Sequence, residues 1–213
     1  MLALAPAGPA SAETTGELID PETITAIRDQ MTSGGIAPEA QDALIAKLQA
    51  GEPLDSMIGA EPVDTFTVDL PNATRTVSEF ADGSRRWIDI EKPTTLSAGT
   101  VSPMSSLKGC TLSGLWRINC KLGVSDAITT ASFQFDYRIA QTKHDASIRD
   151  YRAQTCGNVF GPCSVKGGIK RATQNSAGPA WAAMTYTAKI NKTGTTVQSE
   201  IGIRVQDTTV STY

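Results

Sequence analysis

The chain has 213 residues, 40% hydrophobic and 19% charged, with a formal net charge of −3. That composition supports a buried core and excludes global disorder. No apolar run approaches the roughly 20 residues of a membrane-spanning helix, and the acidic balance excludes nucleic-acid binding by bulk charge.

Residues 1–12 carry no charge, are rich in Ala, Leu and Pro, and close on Ala10-Ser11-Ala12. Small residues flanking one position suit a signal peptidase. The stretch therefore reads as the end of a secretory signal, although it lacks the Lys or Arg that opens one. The expected mature chain starts near Glu13 and is extracellular.

Residues 13–60 read as an acidic helical hairpin. Asp20 is a good N-cap and Pro21 a good first helical residue. Ile24, Ile27 and Met31 fall on one face, and Gly34-Gly35 ends the run. Pro38 opens a second helix with Leu44, Ile45 and Leu48 as its apolar stripe, and Gly51 caps its end. Both stripes are narrow, so the helices need something to pack on.

Residues 61–95 form a β-hairpin or connector. The turn is Asp82-Gly83, flanked by Val77, Phe80, Trp87, Ile88 and Ile90. Trp87 and Ile88 claim opposite faces, which leaves the register open. Residues 93–108, rich in Ser, Thr, Gly and Pro, read as an irregular connection.

From residue 96 to 213 strand signals dominate. Phe133, Phe135, Tyr137 and Ile139 alternate with polar residues. So do Ala182, Met184, Tyr186, Ala188 and Ile190, and then Ile201, Ile203 and Val205. Each run fits a strand with one buried and one wet face. The predicted fold is mainly β: an antiparallel β-sandwich, immunoglobulin-like or jelly-roll-like, behind a small helical hairpin.

Four cysteines, Cys110, Cys120, Cys156 and Cys163, suit an oxidising compartment and allow three pairings. The two local pairs, Cys110–Cys120 and Cys156–Cys163, are favoured. For the first, an antiparallel hairpin turning at Ser113-Gly114 sets Leu112 opposite Ile118 and Cys110 opposite Cys120, all on one face. The tighter C-x₂-C spacing of a metal site is absent, and no metal or other cofactor is expected.

Several segments resemble uncharacterised secreted proteins of actinobacteria. They are Asp42-Ala-Leu-Ile-Ala-Lys-Leu-Gln-Ala-Gly-Glu-Pro-Leu-Asp55-Ser56, Thr76-Val-Ser with Phe80-Ala-Asp-Gly-Ser84, the Gly109-Cys110 and Asn119-Cys120 pairs, and Ser176-Ala-Gly-Pro-Ala180. The resemblance covers most of the mature chain. It implies export and a helical segment followed by a β-sandwich. It implies no catalytic residues, and Cys156 and Cys163 fall outside its pattern.

No catalytic set emerges. The one histidine, His144, sits among polar residues after a strand and reads as a solvated turn residue. No Ser occupies a G-x-S-x-G setting. Six carboxylates follow residue 96, and Asp136 among them reads as the wet face of a strand. Gly167-Gly168 reads as a tight turn, not a phosphate cradle. Trp116, Phe133, Phe135, Trp181 and Tyr186 read as core; the side of Trp87 is undecided.

Charge distribution is more informative. Residues 13–95 carry 6 basic and 16 acidic side chains, whereas residues 96–213 carry 13 basic and 6 acidic. Two consequences are expected: the acidic helices dock on a basic sandwich, and that sandwich binds an anion. The candidate anion-binding residues are Lys166, Lys170 and Arg171, with Arg149 and Arg152 as a second group. The function expected is a secreted, non-enzymatic binding or cell-envelope module. Its partner would be an anionic cell-wall polymer or another extracellular protein. The alternatives are a secreted toxin or effector restrained by its acidic N-terminal region, and a hydrolase with a carboxylate pair assembled in space.

Overall fold

The computed structural model describes residues 19–95, 109–191 and 194–213, so the expected signal and cleavage site lie outside it. The connection 93–108 is described only as far as residue 95. The protein is mainly β, with two antiparallel sheets behind two short helices.

Helix α1 spans Pro21–Ser33 and α2 spans Pro38–Gln49. Asp20 caps α1 by accepting from the Thr23 amide at 2.8 Å, and Gly51 follows α2 with φ +80°. Among the described residues eleven strands follow: β1 (Asp64–Asp69), β2 (Ala73–Glu79), β3 (Arg85–Glu91), β4 (Thr111–Ser113), β5 (Trp116–Ser125), β6 (Thr129–Arg138), β7 (Ser147–Asn158), β8 (Ser164–Arg171), β9 (Ala180–Lys189), β10 (Thr196–Gln206) and β11 (Thr209–Thr212). The first sheet runs β1-β2-β3-β5-β6-β7, with β4 beside β5; the second runs β11-β10-β9-β8.

The two sheets share one core. Leu122, Phe133 and Phe135 from the first meet Met184, Tyr186, Ile201 and Ile203 from the second. The β2–β3 hairpin is part of the first sheet, because Ile88 pairs with Val124. This settles the conflict between Trp87 and Ile88. Strand β3 is covered on both sides: Ile88 and Ile90 face the inter-sheet core, while Trp87 is buried against Gly34 at the end of α1. A Cβ at Gly34 would collide with the indole.

The helices dock through apolar contact. Ile27, Met31, Leu44, Ile45 and Leu48 form a second core with Ala127 and Ile128 of the β5–β6 turn and with Ile190 after β9. Polar links reinforce the contact. Gln30 Nε2 donates to the Thr129 carbonyl at 2.9 Å, and the α1 C-terminus, with no basic residue in its last turn, receives two from the sheet. Arg75 donates to the Ser33 carbonyl and Arg85 to the Gly35 carbonyl, at 2.6 and 2.7 Å. Cations there satisfy orphan carbonyls and oppose the negative helix end. Among the described residues no helix carboxylate pairs with a cation of the sheets; the one ion pair across the junction joins Lys47 of α2 to Asp82, at 2.9 Å.

Both expected disulfides are present, Cys110–Cys120 and Cys156–Cys163. The hairpin register is one residue off the expectation: Thr111, not Leu112, faces Ile118. Asn119 takes φ +59° and the β5–β6 register slips between Arg117 and Cys120. That irregularity brings Cys120 to Cys110. Cys156–Cys163 closes the crossing from β7 in one sheet to β8 in the other. Gly167-Gly168 is no turn; both lie within β8, and Gly167 makes room for the Tyr151 hydroxyl and the β9 backbone.

Candidate functional site

Alternation along β9 turns Ala180, Ala182, Met184, Tyr186 and Ala188 into the core. Trp181 therefore points outward, half-buried, contrary to its reading as core. Its neighbours follow from strand order. Arg171 of β8 lies opposite it on one side and Arg204 of β10 on the other, and Ser211 of β11 lies opposite Arg204. A row Arg171–Trp181–Arg204–Ser211 crosses all four strands. Lys166 lies on the same face, opposite Thr185.

These cations differ in engagement. Arg171 donates to the Pro179 carbonyl at 3.2 Å. The Arg204 guanidinium lies 4.5 Å from the centre of the Tyr213 ring, and Gly202 leaves the space that ring occupies. Lys166, Lys170 and Arg204 are exposed, and among the described residues none of them pairs with a carboxylate. Beside Trp181 and Arg204 lies a groove of about 640 Å³, completed by Pro179, Gln206, Asp207, Thr209 and Ser211.

Asp207 is held in place. It sits in the β10–β11 turn at φ +51°. Its amide donates to Gln174 Oε1 at 2.7 Å, and its carboxylate accepts from Gln174 Nε2 at 3.0 Å. Gln174 is 3% exposed, and its Nε2 also meets His144 Nδ1 at 2.9 Å. His144 is in a turn as expected, with φ +65°, but its ring is tied to this polar cluster. The cluster thus holds Asp207 through Gln174, and no Ser or Cys is bonded to the ring among the described residues.

The second candidate group is differently placed. Arg149 and Arg152 on β7 converge on Asp136, with contacts of 3.7 and 3.1 Å. Asp136 is 6% exposed and not on a wet strand face; bulges in the β6–β7 pairing fold the two arginines over it. Its Oδ1 also accepts from the Asn119 amide at 2.9 Å. Trp116, expected in the core, is half-buried under Arg149, 3.9 Å from the ring centre. Arg149 further meets Asp150 at 3.3 Å. Two cations and two carboxylates here satisfy one another, so this group braces the bulged strands.

A second groove, about 500 Å³, lies against the first sheet, with Gly123, Ser132 and Thr155 on one level and Asp89 and Glu91 beside them. Arg75 holds Asp89 in a two-pronged pair at 2.8 Å, and Glu91 accepts the Lys121 amide at 3.0 Å. Among the described residues, no three His, Cys, Asp or Glu side chains are grouped to hold a metal ion, and no helix is long and apolar enough to cross a membrane.

Lys166, Lys170 and Arg171 thus lie along β8, apart from Arg149 and Arg152 on β7. The sequence pattern takes Trp181 for core and gives Arg204, Gln174 and Asp207 no site role. The alternation around Ile201, Ile203 and Val205 does turn Arg204 outward; what it lacks is the strand order that sets Arg204 beside Trp181. No family model, curated protein or solved structure matches this chain.

Proposed function

We propose that this is an exported, non-enzymatic module that holds an anionic extracellular polymer, such as one of the cell wall, on the outer face of its four-stranded sheet. The observation that supports this most is the set of exposed cations on β8 and β10, Lys166, Lys170 and Arg204, which have no carboxylate partner among the described residues. Unpaired cations on one rigid face attract a polyanion over about 8 Å at physiological salt. Two disulfides fit an oxidising location.

The test is retention on purified cell wall at low and high salt. Retention should fall steeply with added salt, and the double variant Lys166→Glu/Lys170→Glu should weaken it about tenfold, or roughly 1.4 kcal/mol. Salt-insensitive retention, or equal retention by the double variant, would overturn the reading.

A further inference from the structure

We propose that the groove beside Trp181 is a sugar subsite, and that the ligand of the basic face is an acidic glycan, not a bare polyanion. This rests on the anion-binding reading of that face and names its substrate class.

The groove's chemistry is mixed in a way that a polyphosphate does not need. A pyranose has an apolar face of C–H groups and a rim of hydroxyls, so it needs a flat apolar wall together with both donors and acceptors. Trp181 supplies the wall: its indole is half-buried, amphipathic and braced by the sheet. Asp207 supplies an acceptor, and it is a fixed one. Both its amide and its carboxylate are bonded to the buried Gln174, and its backbone stays in a left-handed conformation that costs a non-glycine residue energy. A carboxylate built so firmly into a groove repels phosphate but accepts hydroxyls. Arg204, one strand away from Trp181 and exposed, supplies the cation for the acidic substituent. Gln206 and Ser211 complete the hydrogen-bonding rim. A few convergent polar groups beside an aromatic wall are the ordinary makeup of a small-ligand site.

Three probes compared at one ionic strength decide the matter: polygalacturonate, inorganic polyphosphate and uncharged dextran. Polygalacturonate should bind about tenfold more tightly than either of the others, the ratio that about 1.4 kcal/mol of added contact gives. Trp181→Ala should erase its advantage over polyphosphate while polyphosphate binding stays unchanged. Asp207→Asn keeps an oxygen for Gln174 and removes the charge, so it should weaken polygalacturonate and strengthen polyphosphate. Each variant's thermal midpoint shows that it is folded, and Arg204→Ala, exposed on the same row, serves if Trp181→Ala is not; it should lower polygalacturonate binding. Equal binding of the two polyanions, with Asp207→Asn strengthening both, overturns the subsite and leaves the anion-binding face standing. Dextran held as tightly as polygalacturonate overturns the acidic requirement. Binding of neither polyanion overturns the face itself, and the subsite with it.

Discussion

Asp126 offers a sharp test of how the helices and the first sheet meet. It is buried at the β5–β6 turn, and loss of solvent pushes its carboxyl up to about 6, despite amides from Ile128 and Thr129 at 2.9 and 2.8 Å and the nearby charge of Arg86. The raised value means that folding favours the protonated form. The stabilisation is present in full below about pH 4, where the unfolded chain also holds the proton, and is lost as pH rises through about 6. A shift of about 2 pH units corresponds to roughly 3 kcal/mol. Asp126→Asn keeps an oxygen for the two amides and carries no charge. The variant should therefore match the parent near pH 4 and exceed it by up to roughly 3 kcal/mol at pH 8, with the gap opening between pH 4 and 6. Urea unfolding followed by tryptophan fluorescence at pH 4, 5, 6, 7 and 8 measures this. Subtracting one curve from the other removes the remaining carboxylates. A constant offset, or a variant less stable at pH 8, would refute the claim that burial dominates over the amides and Arg86.

Other consequences concern packing and the cross-links. Gly34→Ala places a methyl against the Trp87 ring and should cost about 1–3 kcal/mol in urea unfolding; a neutral result would mean that α1 does not rest on Trp87. Asp136→Ala leaves Arg152 and Arg149 without their shared carboxylate and should cost roughly 3 kcal/mol, without changing polyanion retention, which a binding assay beside the melt would show. Reducing the disulfides, which close loops with sequence separations of 10 and 7, should cost up to about 3 kcal/mol each, read as a lower urea midpoint in dithiothreitol.

Much of the architecture is legible where a local rule operates alone. Asp20-Pro21 and Pro38 mark helix starts, and inward alternation in β6, β9 and β10 needs only the two-residue period of a strand. The misses occur where a second constraint enters. Trp87 and Ile88 look contradictory because β3 is covered by helices on one side and by the other sheet on the other. Asp136 looks solvated because alternation ignores the bulges that fold Arg149 and Arg152 over it. The Cys110–Cys120 hairpin is one residue off because the chain turns tightly enough to pair Ser113 with Trp116, and a left-handed Asn119 then brings Cys120 back to Cys110. The candidate site is the least legible part. Arg171, Trp181 and Arg204 are spread over 34 positions of sequence, and only the order β10-β9-β8 makes them neighbours.

The most direct measurement is a titration of ¹⁵N-labelled protein with polygalacturonate, followed by amide and indole chemical shifts. The perturbed signals should map to Lys166, Lys170, Arg171, the Trp181 indole, Arg204 and Asp207. Shifts centred instead on Arg149, Arg152 and Trp116, or no shifts at all, would contradict it.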